Sequence, residues 1–120
     1  MKTVISVILC GLVIGVFVLS TACRCEDTSK TEIKSPNGKY VVTLYERDCG
    51  ATTDFSTIVS LRASTDKFKG KGDNIFVVKG QPKISLVWQG NTSLLLGCAE
   101  CAARDIFKKE STWMDVNIHY

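Results

Sequence analysis

The stretch Lys39-Tyr40-Val41-Val42-Thr43-Leu44-Tyr45-Glu46-Arg47 decides the fold class. Successive side chains of a strand face opposite ways, so Tyr40, Val42 and Leu44 fall on one face. Val41, Thr43 and Tyr45 fall on the other, which is also fairly apolar, and this predicts a central strand. The four residues before it, Ser35-Pro36-Asn37-Gly38, are a turn signal. Proline presets the second turn position and glycine accepts positive φ.

Period-two patterning continues outward. In residues 55–62, Phe55, Thr57, Val59 and Leu61 face one way, and Ser56, Ser60 and Arg62 the other. Residues 74–79 are a short β-rich run, and residues 83–88 turn Ile84, Leu86 and Trp88 inward. Gly90-Asn91 then reverses the chain into Leu94-Leu95-Leu96. At the end of the chain Met114, Val116, Ile118 and Tyr120 share a face opposite Trp113, Asp115, Asn117 and His119. About six strands with short connections predict an all-β domain, an antiparallel meander or sandwich-like. Residues 98–110 fit least well. Ala99, Ala102, Ala103 and Ile106 share a helical face, which suggests one short helix near residues 99–106. Residues 105–109 would alternatively pair with the last strand.

The first residues are not part of that domain. Lys2 is followed by an uncharged run, residues 4–19, and then by Ser20-Thr21-Ala22-Cys23. A basic start, an apolar run and small residues before a cut describe an export signal over residues 1–22. The run is near the ~17–20 residues that span a bilayer. A cysteine directly after the cut suits lipidation at Cys23, although Ser20 stands where a lipobox carries leucine. Cleavage to a soluble chain and retention as an anchor helix are the alternatives. Each places the rest of the chain outside the cytoplasm, and a lipid or an anchor would hold it at a bacterial cell envelope. Cys10, inside the run, reads as a small hydrophobe. Residues 23–32 lack apolar periodicity and read as a hydrophilic tether, leaving residues 33–120 as one β domain.

The run from Ser35 to Leu61, SPNGKYVVTLYERDCGATTDFSTIVSL, resembles a signature of small exported bacterial proteins of unassigned function. The specific parts are S-P-[DN]-G-K-Y and R-D-C-G-A-T-T-x-F-S-T. The resemblance implies a shared fold and an extracytoplasmic, lipoprotein-like setting. It implies no activity, cofactor or catalytic residue.

Four cysteines follow Cys23: Cys25, Cys49, Cys98 and Cys101. An oxidising compartment favours disulfides, and Cys49 is expected to bond Cys98 or Cys101, with Cys25 in the tether the poorest partner. The Cys98-Ala99-Glu100-Cys101 segment has three readings. It is a structural disulfide partner plus a spare thiol, a thiol–disulfide redox pair, or half of a zinc site completed by Cys49 and His119. The structural reading carries the most weight, since no βαβ unit precedes the pair and one CxxC is half a zinc pattern.

Arg47, Asp48, Thr52, Thr53 and Asp54 form a candidate binding loop around Cys49. There Arg47 and Asp48 are expected to pair and Phe55 to re-enter the core. A nucleophilic Cys49 would need His119, the only histidine, as its base; His119 reads instead as an exposed strand residue. No acid–base set and no cofactor motif is visible.

The formal charge is +3, and +2 once Lys2 is removed with the signal. That is too weak and dispersed for nucleic acid. The lysines around Phe68 read as a solvated, Gly-rich loop, with contact to anionic lipid as the alternative. The functional expectation is a membrane-tethered envelope domain that binds an unknown partner without catalysis. A redox module built on Cys98 and Cys101 is the alternative.

Overall fold

The structure is a computed structural model of the chain, and it describes residues 25–50, 55–68 and 73–120. The expected signal segment, Cys10, Cys23, Thr52, Thr53 and Asp54 lie outside the described residues. The chain divides into two units. The smaller combines Met1–Glu26 with Asp48–Asp54. The larger combines Asp27–Arg47 with Phe55–Tyr120.

Among the described residues nine strands form, and the all-β expectation holds. They are β1 (Glu26–Lys34), β2 (Tyr40–Asp48), β3 (Ser56–Ala63), β4 (Asn74–Lys79), β5 (Ser85–Gly90), β6 (Ser93–Gly97), β7 (Ile106–Lys109), β8 (Thr112–Trp113) and β9 (Val116–His119). One sheet runs β1-β2-β3-β4-β7 and the other β5-β6-β9-β8. β2–β3, β3–β4, β4–β7, β5–β6 and β8–β9 pair antiparallel, while β6 and β9 run parallel, with Leu94 opposite Ile118. β2 is central, as its two apolar faces predict.

In the larger unit one hydrophobic core joins both sheets. Val42, Val59, Leu61, Phe76 and Val78 pack with Leu94, Leu96, Val116 and Ile118. Each such side chain contributes roughly 1.5–3 kcal/mol by leaving water. The other face of β2 is also covered, with Val41, Thr43 and Tyr45 buried. Phe68 stands edge-on to the Tyr45 ring with centroids 4.8 Å apart, and Lys30 sits over Phe68 at 4.6 Å. Phe68 is thus spent on packing.

The Ser35–Gly38 turn forms as expected. Gly38 has φ of 75° and donates its N–H to the Ser35 carbonyl at 2.8 Å. The Asn37 side chain accepts from Ser35 Oγ and from the Lys39 N–H.

Several expectations are corrected. Most of the expected tether, from Glu26 onward, is strand β1. Its apolar pattern is absent because it is an edge strand held through polar groups, including Asp27 to Arg47 and Glu32 to Arg62. The expected helix is only a 3-10 turn, Ala103–Asp105, closed by Asp105 N–H to the Ala102 carbonyl. Ala102 ahead of it is extended and supplies no side-chain cap. β7 pairs with β4 and not with the last strand. Met114 is 78 % exposed with φ of 51°, because it forms the turn between β8 and β9. Tyr120, past the end of β9, is also exposed, so only Val116 and Ile118 of that face enter the core.

Candidate functional site

The site begins where β6 ends. Gly97 lies opposite Ser85 of β5, and a Cβ on Gly97 would stand 2.5 Å from Ser85 Oγ. Glycine therefore lets β5 and β6 stay paired up to the first cysteine. Cys98 follows directly, Ala99 and Glu100 make an exposed turn, and Cys101 closes a disulfide back to Cys98. The 3-10 turn then leads into β7.

The two sulfurs have different surroundings. A cleft of about 390 Å³ opens beside Cys98, lined by Lys83, Ile84 and Ser85 on one side and by Gly97, Ala99 and Glu100 on the other. A second cavity of about 170 Å³ is bordered by both cysteines together with Phe76, Ile106, Lys109 and Tyr120. Cys101 also packs against the hydrophobic core. Over the second cavity the Tyr120 ring lies 5.9 Å from that of Phe76, with Lys109 Nζ 4.6 Å from the Tyr120 centroid. The Tyr120 hydroxyl donates to the Glu110 carbonyl. Tyr120 is exposed over part of its surface, yet the partial burial of its ring beside Phe76, with Glu110 adding to it, pushes the phenol up to about 12.

The expected partnership of Cys49 with Cys98 or Cys101 is corrected: Cys49 bonds Cys25. The reason was present in the chain. Cys25 and Cys49 each lie twelve residues from Asn37, the heart of the Ser35–Gly38 turn. A hairpin about that turn brings the two together, which a tether reading of residues 23–32 concealed. Among the described residues no cysteine is free. The zinc set of Cys49, Cys98, Cys101 and His119 is not gathered, and His119 lies on the exposed face of β9.

The candidate binding loop is only partly described. Arg47 pairs with Asp27 and not with Asp48, through Nε to Oδ1 at 2.8 Å and a second bond at 3.2 Å. Both side chains are about three-quarters buried, and the hydrogen bond to Asp27 holds the Arg47 guanidinium above its ordinary pKa. In the smaller unit the Asp48 carboxylate accepts the Gly50 N–H at 3.0 Å, an interaction within the loop. Phe55 does not re-enter the core and is 39 % exposed. Its carbonyl accepts the Gly80 N–H, while Thr57 Oγ1 donates to the Gly80 carbonyl at 2.7 Å, so the inward turn begins at Thr57.

Among the described residues no helix is long and apolar enough to cross a membrane. None of the groups of His, Cys, Asp and Glu among them has the arrangement of a metal site. The chain belongs to a family of unknown function, DUF5412, whose model matches residues 1–107. No curated protein and no solved structure matches it.

Proposed function

We propose that this member of a family without an assigned activity is an exported domain, held at a bacterial cell envelope by lipid on Cys23, that binds a partner there. The observation that carries the reading is the pairing of all four cysteines after Cys23 into two disulfides. Such bonds persist outside the cytoplasm and are rare within it. The uncharged run ending in Cys23 supports the same setting, and the open cleft beside β5 supports a binding role. The test is non-reducing peptide mass mapping of the protein recovered from its own envelope fraction. Lipid on Cys23 and both disulfides are expected. Recovery in the cytosol with every thiol reduced overturns the reading.

One observation favours a second reading, a thiol–disulfide module. Cys98 and Cys101 form a closed CxxC disulfide; Cys98 lines the larger cleft and both cysteines line the smaller cavity, which offers an incoming thiol a way in. Oxidation of a dithiol peptide, matched by release of two protein thiols, tests it. An unchanged disulfide after incubation rules it out.

A further inference from the structure

Thiol–disulfide exchange has a direction. The incoming thiolate approaches one sulfur along the S–S axis, and the far sulfur departs. The 390 Å³ cleft is lined by Cys98 and not by Cys101. A thiolate in that cleft therefore meets Cys98 and not Cys101. Cys101 rests against the core and, of the two cavities, borders only the smaller, which it shares with Cys98 and Lys109. Glu100, on the turn between the cysteines, and Lys83 both line the cleft, so its charged lining is balanced.

The same cleft lies at the start of β5, the edge strand of its sheet. An edge strand offers unpaired backbone groups to an extended chain. Val87, 52 % exposed on that strand, adds an apolar contact, and Ile84 and Ala99 form apolar walls beside the sulfur.

Resting on the thiol–disulfide reading, we propose that Cys98 is the sulfur attacked, that Cys101 is the leaving sulfur, and that the substrate is an extended polypeptide carrying cysteine. The substrate thiolate bonds Cys98 Sγ; the Cys98–Cys101 bond breaks, and its electron pair leaves on Cys101, which takes a proton from water. A second substrate thiolate then attacks the substrate sulfur of the mixed disulfide and expels Cys98 as thiolate, which is protonated in turn. The substrate dithiol is oxidised and the protein disulfide reduced, two electrons pass, and no other oxidant enters.

The test mixes the full chain, both disulfides closed, with a short neutral peptide of β-forming residues and one cysteine. Acid quenching and peptide mapping then locate the adduct. The adduct is expected on Cys98 in about tenfold excess over Cys101, and Cys101→Ala, prepared with Cys98 reduced and given the peptide as its activated disulfide, accumulates the same adduct. An adduct mainly on Cys101, or shared equally, overturns the assignment. A backbone N-methylated copy of the peptide, unable to pair with β5, is expected to react about tenfold more slowly; equal rates overturn the substrate class while leaving the attacked sulfur as mapped. If neither cysteine forms an adduct with any peptide, the thiol–disulfide reading itself fails, and this proposal with it.

Discussion

The Trp88 indole N–H, carried by β5, donates to the Ile33 carbonyl of β1 at 3.1 Å. These are edge strands of the two different sheets, so one side chain ties the layers together at their margin. Both residues also pack against the shared core. Trp88→Phe keeps most of the apolar contact and leaves the Ile33 carbonyl without this donor. It is expected to cost about 1 kcal/mol, the usual net worth of such a bond. Trp88→Ala removes the packing as well and approaches the ~3–5 kcal/mol of a large-to-small aromatic change. Urea denaturation of the two variants measures the split; equal losses would mean that the hydrogen bond dominates.

Gly97 and Ser85 form a steric pair at the mouth of the cleft. A Cβ at position 97 would press on Ser85 Oγ at 2.5 Å but would clear Ser85 Cβ at 3.9 Å. Gly97→Ala is therefore expected to destabilise by about 1 kcal/mol, in the range of mild overpacking. Adding Ser85→Ala removes the clashing oxygen and should restore most of that loss. A double-mutant cycle reads the coupling. If Gly97→Ala costs the same in both backgrounds, Ser85 is not the obstacle.

Much of this architecture is legible in alternation alone. β2 to β6 appear wherever one face is apolar, and the two turns Ser35–Gly38 and Gly90-Asn91 follow from proline, asparagine and glycine. What stays hidden has physical reasons. β1 exchanges apolar periodicity for ion pairs with Arg47 and Arg62, so nothing in a hydrophobic pattern marks it. The alanines of residues 99–106 suit a helix, yet the Cys98–Cys101 bond closes a tight turn where its first turn would start. Met114 continues a perfect alternation and still points outward, because the chain reverses there. The pairing of Cys25 with Cys49 was readable from their equal distance to Asn37; the asymmetry between Cys98 and Cys101 depends on the tertiary packing of β5, β6 and β7.

Tyr120 gives the domain an alkaline signature. Its phenol is raised from 10.0 to about 12, first by burial and then by Glu110. In the unfolded chain the phenol ionises near 10 while the folded chain keeps its proton, so the unfolded state binds fewer protons in that window. The associated stability is complete below pH ~10 and is lost as pH rises toward ~12. Ultraviolet titration is expected to show a late tyrosinate step that Tyr120→Phe removes. Tyr40 and Tyr45 are raised as well, by the Asp115 hydrogen bond and by burial respectively, so part of the alkaline loss should persist in that variant. A normal midpoint for Tyr120 would contradict its place over the smaller cavity.

The two disulfides should separate under reduction. Cys25–Cys49 spans 24 residues of chain and Cys98–Cys101 spans three. Loop-closure entropy then assigns about 3.5 kcal/mol to the first and about 2 kcal/mol to the second. Because a bond that stabilises the fold more is itself harder to reduce in that fold, Cys98–Cys101 should open first as a dithiol reductant is titrated in. Its sulfurs also border clefts, which gives the reductant access. Differential alkylation is expected to label Cys98 and Cys101 while Cys25 and Cys49 remain bonded. The paired replacement Cys25→Ser with Cys49→Ser should lower the melting temperature more than Cys98→Ser with Cys101→Ser. Reduction in the opposite order would show that Cys98–Cys101 serves as a structural clamp, and the redox reading would lose its footing while the envelope-binding reading kept its own.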